Sequence, residues 1–194
     1  MTALTPASVL SRINAALPEA RVELLNNPSP SGQHSLIIHP GDALQVAEFL
    51  KNDPELLLDY ASNVSGVDYP DHLEAVYHLF SIANKQGPIT LRMRTADRAA
   101  NVTLPSLTPV WKSADFQERE AFDLFGIRFE GHPDLRRLLM WEEFADHPMR
   151  KDYKAPEDYE YEPTPHGAIV QKAQQQASAS SAHGATASSH STNA

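Results

Sequence analysis

The residues from Ile89 to Thr95 read Ile-Thr-Leu-Arg-Met-Arg-Thr, apolar and polar in strict alternation. A period of two commits a segment to a half-buried strand, one face on a core and the other wet. Just upstream, Glu74 to Ala83 (EAVYHLFSIA) is rich in β-branched and aromatic residues, and NKQGP between the two predicts a turn. An antiparallel sheet with one wet face follows, and its other face has to be covered. The N-terminal text supplies the cover. Thr5-Pro6 predicts a capped helix start, Val9, Leu10, Ile13 and Leu17 recur at helical spacing, and Pro18 ends the run. Asp42 is placed to cap a second helix with Leu44, Val46, Ala47, Phe49 and Leu50 on its apolar side, ending before Pro54. Further strands are predicted at Arg21 to Leu25 and Ser35 to His39, on either side of NNPSPSG. Another is predicted at Leu56 to Ala61, extended across a bend by Val64 to Tyr69. The expected fold is α+β, two N-terminal helices packed on a mainly antiparallel mixed sheet.

A chain of 194 residues has room for one such domain. We place it at residues 1–154, because the composition changes after Tyr153. Residues 155–165 (APEDYEYEPTP) are acidic and proline-rich, and from Gln171 the text is Gln, Ala, Ser, Thr and His. Such a segment, 155–194, is expected to be extended and, when alone, without a core of its own. No internal repeat of solenoid length is visible. There is no cysteine, which removes disulfides, thiolate nucleophiles and cysteine-ligated iron–sulfur clusters. A formal net charge of -9 argues against a general nucleic-acid binder. No apolar run approaches the roughly 20 residues of a membrane span, and the N-terminus lacks the basic and apolar regions of a secretory signal.

The densest mixture of charge and aromatic residues lies between Asp115 and Tyr153. Asp115 and Glu118 have the spacing of a capping box, Phe116, Phe122 and Phe125 form an apolar stripe, and Gly126 suits a left-handed helix end. Arg119 stands four residues from both Asp115 and Asp123, which predicts an ion-pair ladder. After a short extended piece at Ile127 to Phe129, Pro133 is expected to open another helix bearing Leu135, Leu138 and Leu139. Two His-Pro pairs, His132-Pro133 and His147-Pro148, are each followed by basic residues: Arg136 and Arg137 after the first, Arg150 and Lys151 after the second. His132, Asp134 and His147 lack any metal-binding spacing of the HxxxH or HExxH kind. Glu118 and Glu120, two apart on a helix, point to different faces and make a poor acid/base pair. The four basic residues fit either an acidic partner surface or phosphate, or a solvated face. No phosphate loop, nucleophile elbow or dinucleotide fingerprint occurs, so no catalytic site is expected.

Two runs carry a family resemblance: EREAFDLFGIRFEGHPDLRRLL (Glu118 to Leu139) and DHPMRKDY (Asp146 to Tyr153). They closely resemble the signature of the C subunit, or 30 kDa subunit, family of respiratory complex I, the proton-translocating NADH-quinone oxidoreductase. The likeness runs more loosely upstream through VYHLFSI, ITLRMRT and PSLTPVWKSADF, covering roughly residues 36–153. The sequence departs from the pattern at Trp141 and Phe144, at Ala145-Asp146 in place of glycine, and at Lys154-Ala155 in place of proline. The resemblance implies a structural subunit of the peripheral arm, on the cytoplasmic side of the membrane and attached to it only through the complex. The complex uses FMN, iron–sulfur clusters, NADH and quinone, none of them bound by this chain. Its main partner would be the large quinone-site subunit, the D subunit of the complex, with the B and I subunits nearby. The residues expected at the interface are Glu118, Arg119, Glu120, Asp123, Gly126, His132, Pro133, Asp134, Arg136, Arg137, His147, Pro148, Arg150, Lys151, Asp152 and Tyr153. Alternatives are the equivalent subunit of a membrane-bound hydrogenase or ferredoxin-dependent complex, a stand-alone adaptor, and a free-standing enzyme.

Overall fold

The computed structural model describes residues 4–29, 33–100 and 102–154. Helix α1 (Pro6–Ala16) starts where expected: Thr5 accepts the Ser8 amide, Ser8 reciprocates, and Val9 and Ile13 are buried. Strands β1 (Val22–Leu25) and β2 (Ser35–Ile38) follow, then helix α2 (Ala43–Asn52). Asp42 precedes α2 without a side-chain capping bond, because its carboxylate is taken by Arg21 at 2.8 Å. Three long strands come next, β3 (Tyr60–Asp68), β4 (Leu73–Ser81) and β5 (Gln86–Arg94). The five strands form one sheet in the order β1-β2-β5-β4-β3. Every pairing is antiparallel except β2 with β5, so the sheet is mixed and mainly antiparallel, as expected.

The alternation that predicted β5 sorts the faces. Ile89, Leu91 and Met93 sit beside Leu36 and Ile38 of β2 and Leu73, Ala75, Tyr77 and Leu79 of β4, all fully buried. Val46, Ala47 and Leu50 of α2 join them with Val9 and Ile13 of α1 in one apolar core. The opposite register carries Glu74, Arg92 and Arg94. The Glu74 carboxylate is buried there and takes Arg92 at 2.8 Å and Arg94 at 2.6 Å. Burial opposes its charge, but the two guanidiniums and His72 outweigh that and hold its pKa below the ordinary value.

Two strand predictions shift. Leu56 to Asp59 does not start a strand: residues 54–56 form a turn, in which the Asp53 carboxylate accepts the amides of Glu55 and Leu56, and 57–59 are irregular. Leu56 and Leu58 are still buried, and Leu58 is tied to Leu50 of α2 and to the indole of Trp111. The β4–β5 connection lies at residues 82–85, so NKQGP contributes its second half to β5.

After β5, strand β6 (Thr103–Pro105) leads through a short 3₁₀ turn (Lys112–Ala114) into helix α3 (Asp115–Phe125), followed by strand β7 (Arg128–Glu130). β6 and β7 pair in parallel and bury Leu104 and Phe129. Helix α3 lies along the free edge of β3: Gln117 accepts the Val64 amide at 2.6 Å and Ser113 donates to the Ala61 carbonyl at 2.8 Å. Such cover removes a sheet edge from unwanted pairing. The approach is close because Gly66 has no side chain; a Cβ there would stand 2.4 Å from the Phe125 ring. Gly66→Ala is therefore expected to destabilise the fold by about 1–3 kcal/mol, measured as a lowered denaturation midpoint. Phe125→Leu in the same chain should recover part of the loss.

Candidate interaction surface around helix α3

The sequence predicts an apolar stripe of Phe116, Phe122 and Phe125 on α3, and only Phe122 and Phe125 pack against the core. Phe116 is 62 % exposed, Phe122 and Phe125 are half-buried, and the fully covered positions are Glu118, Arg119, Ala121 and Asp123. A helix that turns charged side chains inward needs partners for each of them.

Glu118 points into the domain. Its Oε1 accepts the Tyr77 hydroxyl and the Leu107 amide, both at 2.9 Å, and its Oε2 accepts the Ser106 hydroxyl at 2.6 Å. Thr108 bonds Ser106 in turn. The carboxylate that was expected to close a capping box is thus used for long-range packing. Ala114, not Asp115, is the cap residue, with no side-chain bond. Burial pushes the Glu118 pKa up, against the pull of Ser106, Leu107 and Tyr77. Glu120 is exposed on another side of the helix, so the two glutamates share no site.

Asp123 is the centre of the stretch that follows. Its Oδ2 accepts the amides of three successive residues, Leu138 at 3.0 Å, Leu139 at 2.7 Å and Met140 at 2.8 Å. Its Oδ1 takes the Arg137 guanidinium at 2.7 Å. Burial opposes the charge, but the three amides and Arg137 together outweigh it and lower the pKa. This explains why no helix follows Pro133: the amides that would enter a helical ladder are drawn to a carboxylate instead. Arg119, expected to bridge Asp115 and Asp123, donates to the carbonyls of Arg136 and Arg137 at 3.2 and 3.3 Å and stacks on Phe116. Its nearest carboxylate is Asp134, at 4.0 Å.

The two His-Pro pairs hold opposite ends of α3. His132 donates Nε2–H to the Asp115 carbonyl at 3.1 Å, while its Nδ1 accepts the Asp134 amide at 3.0 Å, which fixes one tautomer. At the other end the free carbonyls of the last turn are all taken. Gly126 closes on Phe122, His147 Nδ1–H donates to Asp123 at 3.0 Å, the Met149 amide to Leu124 at 3.1 Å, and Arg150 Nε to Phe125 at 2.7 Å. Gly126 adopts φ 78°, as its place after the helix predicts, and its missing Cβ leaves room for the His147 ring. Asp134 pairs with Arg136 at 2.9 Å. Pro133 is exposed and Pro148 half-buried.

The last segment is fastened to the sheet. Asp68, at the end of β3, accepts Arg98 through both oxygens at 2.7 Å and the Lys151 amide at 2.7 Å, and Arg98 also pairs with Asp152 at 2.9 Å. The guanidinium, with the Lys151 amide, holds the Asp68 pKa down against burial. The Tyr153 ring lies 6.2 Å from that of Phe144, which meets Trp141 edge-on. Asp68, Tyr77 and Arg98 escape sequence reading because their partners lie tens of residues away, and no local spacing marks Ser106 and Thr108 as partners of the Glu118 network.

The buried carboxylates, Glu118 and Asp123, and both imidazoles, His132 and His147, are bonded within the chain. A shallow cleft of ≈ 340 Å³ beside α3 offers only Lys112 and Asp115 as charged groups. Among the described residues no group of three or more potential ligands is close enough to hold a metal ion, and no helix is long and apolar enough to cross a membrane.

Residues 36–159 match the sequence profile of the family described as respiratory-chain NADH dehydrogenase, 30 Kd subunit. The C subunit of NADH-quinone oxidoreductase from Roseiflexus castenholzii is 44% identical over 153 residues, covering 77% of this chain and 84% of the relative. The C 2 subunit of the Rhizobium meliloti oxidoreductase is 44% identical over 126 residues, 63% of this chain and 66% of the relative. A chain of the archaeal membrane-bound sulfane sulfur reductase has the same fold, with a TM-score of 0.59 and 18% identity over 76% of this chain and 85% of that one.

Two outcomes follow from the bonding. Asp123→Ala leaves three amides and a guanidinium without their acceptor and should cost about 3–5 kcal/mol, with hydrogen exchange at Leu138, Leu139 and Met140 rising first. His147 has its pKa lowered by burial, with Arg150 and Arg137 adding to the effect against the Asp123 carbonyl. Its contribution is therefore full above the ordinary imidazole value of 6.5 and lost as pH falls below it. The protection factor of the Met149 amide, its exchange corrected for the intrinsic pH dependence, should fall on acidification, and His147→Gln should remove most of that change.

Proposed function

The chain belongs to the respiratory-chain NADH dehydrogenase 30 kDa subunit family, and from that premise we propose that it is a structural subunit of the peripheral arm of an NADH-quinone oxidoreductase. It docks on the quinone-site D subunit, with the B and I subunits as neighbours, on the cytoplasmic side of the membrane. In this role it supports electron transfer from NADH to quinone without carrying a redox group. FMN and the iron–sulfur clusters belong to other subunits; this chain has no cysteine to ligate a cluster.

The observation that carries the reading is the state of residues 126–153. They form almost no regular structure, yet their backbone and charged groups are bonded to α3 and to Asp68. A long irregular segment held in one shape presents a surface, and here that surface lacks the nucleophile, base and electrophile geometry of a catalytic site. The residues of both His-Pro runs, from Glu118 to Tyr153, serve this reading as the scaffold of the interface, not as reactants.

The fold is shared with a chain of another respiratory membrane complex, so fold alone does not select the electron donor. The sequence relatives at 44% identity favour NADH-quinone oxidoreductase. Affinity capture of the tagged full-length chain from solubilised membranes of its source cell tests this. The D, B and I subunits should co-purify together with NADH:quinone activity. Hydrogenase or ferredoxin-linked chains in their place, or no redox chain at all, would overturn it.

A further inference from the structure

The sequence of α3 and its two basic runs suggests a positive surface for an acidic partner. The structure assigns those cations differently. Arg119 is 5% exposed and bonded to two carbonyls; Arg137 is locked on Asp123; Arg150 caps α3; and Arg136 is paired with Asp134. Four of the positive charges in this stretch are therefore satisfied within the chain, while Arg128 and Lys151 are exposed and fewer than the exposed acids. Most of its negative charges outside the buried set are not so satisfied. Glu120, Glu142, Glu143 and Asp146 are exposed, and no hydrogen bond or salt bridge engages their carboxylates among the described residues; Glu142 only faces Arg136 electrostatically. Near them in the chain stand three large apolar side chains turned to solvent, Phe116 at 62%, Leu139 at 61% and Met149 at 57% exposed. Phe116 is one helical turn from Glu120. Leu139 precedes Glu142 and Glu143 by three and four residues, and Asp146 precedes Met149 by three.

We infer that the docking face of α3 and its loops takes a protein partner whose matching surface is apolar at the centre and basic at the rim. The inference rests on the docking reading above and reverses the charge that the sequence suggests for the partner. Phe116, Leu139 and Met149 supply the desolvated contact, where aromatic and methionine side chains are favoured. Glu120, Glu142, Glu143 and Asp146 steer the approach and set its orientation. The internal bonds of Arg119, Arg137 and Arg150 keep the loops in shape, so the contact orders few groups as it forms.

Three variants of the full-length chain separate the outcomes, each produced in a strain lacking its own copy. They are Leu139→Asp/Met149→Asp, Glu142→Lys/Glu143→Lys and Arg136→Glu. Assembly is read as complex recovered on the tagged chain at low and moderate salt, and folding as the thermal midpoint of each purified chain. Both of the first two variants should lower recovery by about tenfold with unchanged midpoints. Arg136→Glu, which breaks the pair with Asp134, should lower recovery less than Glu142→Lys/Glu143→Lys does, and added salt should weaken wild-type recovery. If Arg136→Glu blocks assembly while Glu142→Lys/Glu143→Lys does not, the partner is acidic and the inference is wrong. Failure of the apolar variant alone would keep docking at this face and refute the basic rim. Normal assembly of all three would overturn docking at this face itself.

Discussion

A buried carboxylate that collects three consecutive amides and a guanidinium is the constraint on which the region after α3 depends. Each bond to a charged acceptor is stronger than one between neutral groups, and the penalty for leaving any of them unmade is larger still. Asp123 therefore dictates the path of residues 137–140 more firmly than any propensity in their sequence. With Leu138 to Met140 drawn to one oxygen, Arg119 reaches the carbonyls just before them, and Arg137 extends to the Asp146 carbonyl. One side chain on a helix thus substitutes for an absent secondary structure.

The sheet and its two covering helices were legible because their signals are local. The alternation in β5, the Thr5 cap and the apolar spacing of α1 each need only a short window of sequence. Gly126 was legible for the same reason: a left-handed residue after a helix is a one-residue requirement. The misreadings share one cause. Asp115 with Glu118, Arg119 with its neighbours four residues away, and Pro133 with the leucines after it are all sound local patterns. In each case a distant group binds the same atoms instead: Tyr77, Ser106 and the Leu107 amide at Glu118, backbone carbonyls at Arg119, and Asp123 at the amides after Arg137. Periodicity describes which side of an element is available, not which remote carboxylate will claim it.

The same displacement bears on function. Charged residues crowded near histidines look like chemistry when read in a line. In space, the charges are divided between a set that holds the backbone and a set left facing water. The structural role proposed above fits this division, since such a role needs a shaped surface more than a reactive one.

The Asp68 fastening has a consequence for how the chain comes into being. It joins the end of β3 to Lys151, 83 residues later, and also holds Arg98, which in turn grips Asp152. A contact of that span closes a long loop and gains nothing until the intervening strands are in place. The last part of the surface to be secured is therefore the part whose anchor is presented only once the end of β3 is in place. A nascent or half-folded chain has no such anchor and displays no completed face. Timing is thereby built into the covalent order of the chain: the segment after α3 is fastened only after the sheet that holds it.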